Sequence, residues 1–158
     1  CFGIFCNILN SKPILMTVKA FPFNPFQENT YIVYDDTKKC LIIDPGCYTP
    51  EERKYFIEFI EDNDLNPVRL LNTHCHLDHI CGNKFIAEKY ALRLEAHQAE
   101  LPILKHAPQA ASMYGFPMET SPEIEIFLDE NEMSRQVPRA PKGQFRRSSA
   151  VERVAVNH

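Results

Sequence analysis

The sequence predicts a layered α/β fold, and three observations support this prediction. Short runs rich in β-branched and aromatic residues alternate with segments in which apolar residues recur at helical spacing. Asn, Pro and Gly bound the short runs, as is typical of strands that end in turns. The chain has 158 residues and 44% hydrophobic content, which suits one folded domain. Mixed strands and helices of this kind pack in layers around a sheet.

Three strands are predicted in the first part of the chain. Each run combines β-branched or aromatic residues, and the third ends at Pro45-Gly46. The predicted strands are Thr17–Phe23, Thr30–Asp35 and Lys39–Asp44.

A helix and a fourth strand follow. Thr49 is a favourable N-cap, Pro50 suits the first helical position, and acidic residues in the first turn suit the positive end of the helix dipole. Asn63 to Pro67 ends this helix, and Val68–Asn72 is a strand of the buried type. These elements predict a strand–helix–strand unit.

The remaining predicted elements are shorter. Pro108 is expected to separate two helical segments, because proline lacks the backbone N–H that a helix interior needs. The predicted elements are a helix at Gly82–Tyr90, a strand at Arg93–Ala96, and helical turns at Gln98–Lys105 and Gln109–Tyr114.

The distribution of charge predicts the domain boundaries. Residues 1–130 hold 11 basic and 19 acidic side chains, whereas residues 131–158 hold 6 basic and 2 acidic ones. Such a reversal indicates a folded unit over residues 16–130 and a basic, disordered tail over residues 131–158. Residues 1–15 lack the cationic start of a signal peptide, and we expect a non-native or disordered extension there.

Composition also excludes several classes of protein. The net charge of -4 argues against nucleic acid as the partner, and no apolar run approaches the roughly 20 residues of a membrane helix. The six cysteines follow no disulfide framework and form no CxxC pair. We therefore expect reduced thiols and a cytoplasmic protein.

The candidate metal-binding residues of this sequence lie in one segment, Thr73-His74-Cys75-His76-Leu77-Asp78-His79. His74 and His76 alternate at the end of a predicted strand, so both can point at one ion while Cys75 points away. Asp78 and His79 follow the strand and can reach a second position. Imidazole with carboxylate suits zinc, and also iron or manganese, so the segment predicts a two-metal site.

This segment, followed by Gly82, resembles the His-x-His-x-Asp-His motif of the metallo-β-lactamase superfamily. Ile43-Asp44-Pro45-Gly46 and Asn29-Thr30-Tyr31 are similar to the leading half of the same family. Within it, the chain most resembles the glyoxalase II-like thioesterases.

The resemblance implies an αββα sandwich, of which this chain has only the first half. It implies that His74 and His76 bind one zinc ion and that Asp78 and His79 bind another, with Asp78 also a catalytic residue. Asp44 would hydrogen-bond a ligand histidine and fix its tautomer. A metal-bound hydroxide would then attack a small thioester or ester substrate, of which hydroxyacylglutathione is the expected example.

The sequence also departs from the family pattern. The family's third histidine, bridging aspartate and last histidine have no match after Glu130, and neither His97 nor His106 replaces them. Two protein ligands for each metal predict weak binding and poor hydrolysis, and half a sandwich predicts an exposed sheet face. The alternatives are a truncated, catalytically incompetent fragment, or a β-lactamase, phosphodiesterase or sulfur dioxygenase on the same fold.

Overall fold

The structure is a computed structural model, and it describes residues 15–129. The predicted tail over residues 131–158 lies outside the described residues, as does the predicted N-terminal extension apart from Leu15. The two predicted boundaries therefore stay predictions.

The described residues form a mixed sheet of six strands in the order β1-β2-β3-β4-β5-β6. The pairs β1–β2 and β2–β3 are antiparallel, and the pairs from β3 to β6 are parallel. The strands are β1 Thr17–Phe23, β2 Glu28–Tyr34, β3 Lys39–Ile43, β4 Asn66–Leu71, β5 Leu94–His97 and β6 Ile124–Leu128. The helices are α1 Pro50–Asp62, α2 Leu77–Ile80, α3 Asn83–Tyr90 and α4 Leu101–Met113. The predicted α/β class is confirmed.

Helix α1 begins at the predicted signal. The Thr49 hydroxyl accepts a hydrogen bond from the Glu52 backbone N–H at 3.2 Å, and the Glu52 carboxylate accepts one from the Thr49 N–H at 2.9 Å. This reciprocal pair is a capping box, which satisfies two backbone donors that the first helical turn leaves free. The helix ends with Asn63 as its C-cap, as the sequence predicts.

Several features of the fold differ from the sequence prediction, among them the short helix α2 at Leu77–Ile80, which was not predicted. Pro108 lies inside the continuous helix α4 instead of separating two segments, because Ala107 and Ala111 bury one face of the helix and Pro108 faces outward. Strand β6 was not predicted. Strand β4 ends at Leu71, so His74 and His76 lie in a loop and not on the strand.

The apolar core lies between one face of the sheet and the helices. Phe21 of β1 packs edge-to-face on Phe56 of α1 with 5.2 Å between ring centroids, and both are fully buried. The opposite face is less covered. Val18 is 61% exposed, and its paired neighbour Val33 and the next residue across the sheet, Leu41, are half-buried. This contrast between faces agrees with the expected exposure of one sheet face.

The strand order places the histidine-rich segment beside Asp44. Strands β3 and β4 are parallel neighbours, so their carboxyl ends meet at one edge of the sheet. The Asp44 N–H, just after β3, donates to the Leu71 carbonyl at the end of β4 at 2.9 Å. Within residues 15–129, no helix has the length and apolar content that a membrane span requires.

Candidate metal centre

Asp44 organises the loop that follows β4. Its Oδ1 accepts hydrogen bonds from the Thr73 N–H at 2.7 Å and the Asn72 side-chain amide at 3.2 Å, while its Oδ2 accepts from the Thr73 hydroxyl at 2.5 Å. Asp44 has a φ of 49°, in the left-handed region that Asp tolerates better than most residues. The carboxylate thereby holds the start of the histidine segment against the sheet.

The same hydrogen bonds determine the free nitrogen of His74. The Thr73 hydroxyl uses its single proton toward Asp44, so at 3.0 Å from His74 Nδ1 it acts as an acceptor. The Nδ1–H tautomer that results leaves His74 Nε2 free to bind a metal ion. Burial lowers the pKa of His74, which favours the neutral ring that metal ligation requires.

His79 lies at the centre of the site. Its ring centroid is 3.7 Å from that of His74, and its Nδ1 is 3.4 Å from both Asp44 Oδ2 and Glu28 Oε1. Its Nε2 lies 3.6 Å from Asp78 Oδ2. Burial by itself would lower the pKa of His79, but these carboxylates outweigh burial and raise it.

The structure brings together a compact set of possible ligands. Asp44, His74 and His79 each provide one ligand atom, and these atoms lie within 4.8 Å of one another. His76 is exposed, with its ring 4.8 Å from that of His74 between centroids. His74 is therefore nearer to His79 than to His76, because the strand that was expected to align His74 with His76 ends earlier.

The donor set suits a divalent metal ion. Two imidazoles and a carboxylate are ligands that zinc, iron and manganese all accept, and the Thr73 hydroxyl leaves one nitrogen of His74 available. Cys75, between His74 and His76 in the sequence, is fully buried, and burial raises the pKa of its thiol to about 12. Cys75 lies outside the cluster of possible ligands, although it lines the same cavity as His76.

Several residues that hold the site were not predicted from the sequence. Asn24 donates its side-chain amide to the carbonyls of Gly46 and Asp78, at 3.0 and 2.9 Å. The Glu100 carboxylate accepts from the Cys75 N–H at 2.8 Å. For Asn24, the sequence offered only the neighbouring Asn and Pro residues, which indicate a turn and not a contact with the histidine segment.

His97 and His106 lie outside the cluster of possible ligands. His97 accepts a hydrogen bond from the Ala99 N–H at 3.2 Å and so caps the short 3₁₀ turn at Gln98–Glu100, which is a structural role. His106 is exposed on α4 and lines a cavity of about 620 Å³. His76 and Asp78 border this cavity, and its other walls are mainly apolar: Phe26, Leu77, Ile103, Ala107, Ala110 and Tyr114.

Known proteins share this sequence pattern over much of the chain. The family model of the metallo-beta-lactamase superfamily matches residues 23–143. The hydroxyacylglutathione hydrolase GloC of Haemophilus influenzae is 30% identical over 116 residues, which are 73% of this chain and 50% of that protein. The hydroxyacylglutathione hydrolase of Buchnera aphidicola is 42% identical over 65 residues, which are 41% of this chain and 24% of that protein. The chain spans about half the length of the curated relatives that it matches over most of its own length.

Solved structures share the fold as well. The BLEG-1 B3 metallo-beta-lactamase superposes with a TM-score of 0.62 and 26% identity, over 72% of this chain and 54% of that one. TTHA1623 in a di-iron-bound form superposes with a TM-score of 0.61 and 28% identity, over 71% of this chain and 54% of that one. The family match, the sheet order and the histidine segment agree, and the chain belongs to the metallo-β-lactamase superfamily.

Proposed function

We propose that this chain provides the metal-binding half of a hydrolase that cleaves small thioesters of the hydroxyacylglutathione type. The observation that carries the proposal is the cluster of Asp44, His74 and His79, whose ligand atoms lie within 4.8 Å of one another. The similarity to hydroxyacylglutathione hydrolases supports the thioester class of substrate.

The proposed ligands are the four motif residues His74, His76, Asp78 and His79. Zinc is the expected metal, in two ions, with iron or manganese as alternatives. A divalent ion bound here would act as a Lewis acid and supply a nucleophile at neutral pH. Asp44 would orient His74 through the Thr73 hydroxyl, which accounts for its burial and its three hydrogen bonds.

Asp78 is the proposed catalytic residue because of where its carboxylate lies. The side chain is 27% exposed, its Oδ2 is 3.6 Å from His79 Nε2, and it also borders the apolar cavity. A substrate in that cavity would have its reacting carbonyl beside His76 and Asp78. The apolar walls would exclude water from the rest of the substrate.

Metal binding tests the proposed ligands directly. The full chain is titrated with zinc against a chromophoric chelator, together with His79→Ala and His74→Ala. We expect either substitution to weaken zinc binding by more than about 100-fold. Loss of a residue that only hydrogen-bonds a metal ligand typically lowers metal affinity by about 10–100-fold, and loss of a ligand itself should lower it further.

The matched control is His106→Ala, which removes an imidazole that lines the same cavity but is outside the cluster. It should leave zinc affinity unchanged. Failure of the unmodified chain to bind zinc, or an equal loss in the control, would contradict the proposed site.

Hydrolysis tests the proposed substrate class. With excess zinc, we expect the chain to cleave S-lactoylglutathione slowly, because the motif gives each ion only two protein ligands, and we expect His76→Ala to abolish the activity. Turnover that His76→Ala does not affect would contradict the proposal. Faster cleavage of a β-lactam than of the thioester would favour the lactamase alternative, which the similarity to a B3 metallo-beta-lactamase brings into the comparison.

A further inference from the structure

Glu28 is a buried carboxyl group that the sequence analysis did not assign. It begins strand β2, and its side chain is only 2% exposed. Its Oε1 is buried and forms no hydrogen bond with any described residue. Buried polar groups are almost always paired, so an unpaired carboxylate oxygen at this position requires an explanation.

The neighbouring hydroxyl does not satisfy Glu28. Thr30 Oγ1 lies 3.3 Å from Glu28 Oε2 but 2.8 Å from the Asp44 carbonyl, and a hydroxyl has only one proton to donate. Thr30 Oγ1 also accepts from the Gly46 N–H at 2.8 Å. The shorter contact with Asp44 leaves Glu28 with little donation from Thr30.

His79 provides the complementary unpaired atom. Its Nδ1 is buried, has no hydrogen-bond partner among the described residues, and lies 3.4 Å from Glu28 Oε1. Asp44 Oδ2 is equally close to Nδ1 and contributes more than Glu28 to the raised pKa of His79, but the Asp44 carboxylate already accepts three hydrogen bonds. Glu28 therefore has the greater unused capacity to accept a hydrogen bond from His79 Nδ1–H.

We propose that Glu28 is a positioning residue for His79, which accepts the Nδ1–H of the ring and leaves Nε2 as the metal-binding nitrogen. The inference rests on the proposed metal site, in which His79 is a ligand. The assignment agrees with the position of Nε2, which lies 3.6 Å from Asp78, the other proposed ligand of the same ion. Histidine ligands in metal sites commonly donate their second ring N–H to a carboxylate, which fixes both tautomer and orientation.

The backbone around Gly46 makes room for this arrangement. A Cβ atom at Gly46 would lie 2.3 Å from Glu28 Oε2 and 2.8 Å from the Asp78 carbonyl oxygen. Only glycine allows the loop after β3, the Glu28 carboxyl and the motif backbone to approach so closely. Gly46 thereby leaves the space that the Glu28 carboxyl group occupies.

The tautomer of His79 can be measured without a metal ion. Long-range ¹H–¹⁵N correlation spectra of the chelator-treated full chain report which ring nitrogen carries the proton. The measurement is made at alkaline pH, above the pKa of Glu28, which burial raises to about 8. We expect the Nδ1–H form in the unmodified chain and in Glu28→Gln, which keeps an acceptor oxygen, and a shift toward the Nε2–H form in Glu28→Met.

Zinc affinity provides a second readout. We expect Glu28→Met to weaken zinc binding by about 10–100-fold. We expect Glu28→Gln to retain most of the zinc affinity of the unmodified chain, because its side-chain oxygen can still accept the hydrogen bond. If Glu28→Met does not fold, Glu28→Asp replaces it, because a side chain one methylene shorter withdraws the acceptor from Nδ1.

Two outcomes would overturn the role of Glu28. One is an unchanged Nδ1–H tautomer in Glu28→Met or Glu28→Asp, which would assign the acceptor role to Asp44. The other is a Glu28→Gln variant that loses the tautomer as completely as Glu28→Met, which would exclude hydrogen bonding as the cause. A chain that binds no zinc but shows the expected tautomers would contradict the proposed function and leave the contact between Glu28 and His79 supported.

Discussion

Two buried regions lie on the same sheet and are built from opposite kinds of residue. The apolar layer beneath α1 consists of side chains that are at most 1% exposed: Phe21, Ile32, Ile42, Phe56 and Leu70. The polar cluster at the strand ends consists of side chains that are at most 6% exposed: Glu28, Thr30, Asp44, Asn72 and Asn83. Both regions exclude water to a similar extent, so burial alone does not distinguish their roles.

The difference lies in how each region is held. The apolar layer depends on contact area and ring packing, which are not directional apart from preferred ring angles. The polar cluster is held mainly by directional hydrogen bonds: Asn83 donates to Asn72 at 2.7 Å, and Asn72 donates to both Asp44 and the His79 carbonyl at 3.2 Å. We infer that the apolar layer determines the stability of the sheet, whereas the polar cluster determines the positions of the candidate ligands.

The largest expected effect is in the apolar layer. Phe56→Ala removes a fully buried ring that packs on Phe21 and Phe23, and should lower the free energy of unfolding by about 3–5 kcal/mol. Tyr55→Ala, the matched control, removes an adjacent ring that is 55% exposed and should cost less than about 1.5 kcal/mol. Chemical denaturation measures both. Equal losses would show that Phe56 is no more buried in solution than Tyr55.

An intermediate effect is expected where the backbone enters the polar cluster. Gly46→Ala forces a Cβ atom to within 2.8 Å of the Asp78 carbonyl oxygen, and such overpacking typically costs about 1–3 kcal/mol. Because the displaced atoms belong to Glu28 and to the motif, zinc affinity should fall as well.

The two measurements on Gly46→Ala together test the division of roles. A loss of stability with unchanged zinc affinity would mean that the cluster can move without disturbing the ligands, contrary to the role inferred for it. Calorimetric zinc titration and denaturation of the same sample make the comparison.

A further expected effect is a dependence of stability on pH in chelator-treated protein. Burial raises the pKa of Glu28 to about 8, so the folded state holds a proton that the unfolded state has released. The raised pKa of His79 acts in the same direction, whereas the lowered pKa of His74 acts in the opposite one. The free energy of unfolding should therefore decrease as the pH rises from about 5 to about 8.

Substitution at Glu28 isolates its share of this dependence. Glu28→Gln should flatten the decrease, whereas Glu125→Gln, at an exposed carboxyl on β6, should leave it unchanged. A profile that is flat or rises with pH in the unmodified chain would contradict the assigned pKa directions. Denaturation at a series of pH values provides the test.

The sequence alone determined the features that depend on neighbours along the chain. The bounds of β1, the capping box at Thr49 and the end of α1 all follow from residue types within a few positions of one another. The histidine segment was equally visible, because its metal-binding residue types lie within six positions. The family resemblance, which depends on these local motifs, was confirmed.

Only the tertiary structure decided which distant groups meet. Glu28, Asp44 and His79 come from three parts of the chain, and they converge because β2, β3 and β4 are neighbours in the sheet. The spacing of His74 and His76 suggested a shared ion, which stays a prediction, and because β4 ends at Leu71 the loop also brings His74 close to His79. The periodicity of apolar residues indicates which face of its own helix or strand a residue occupies. It does not indicate which strands pair, because pairing depends on packing between elements. That packing brings Glu28 close to His79.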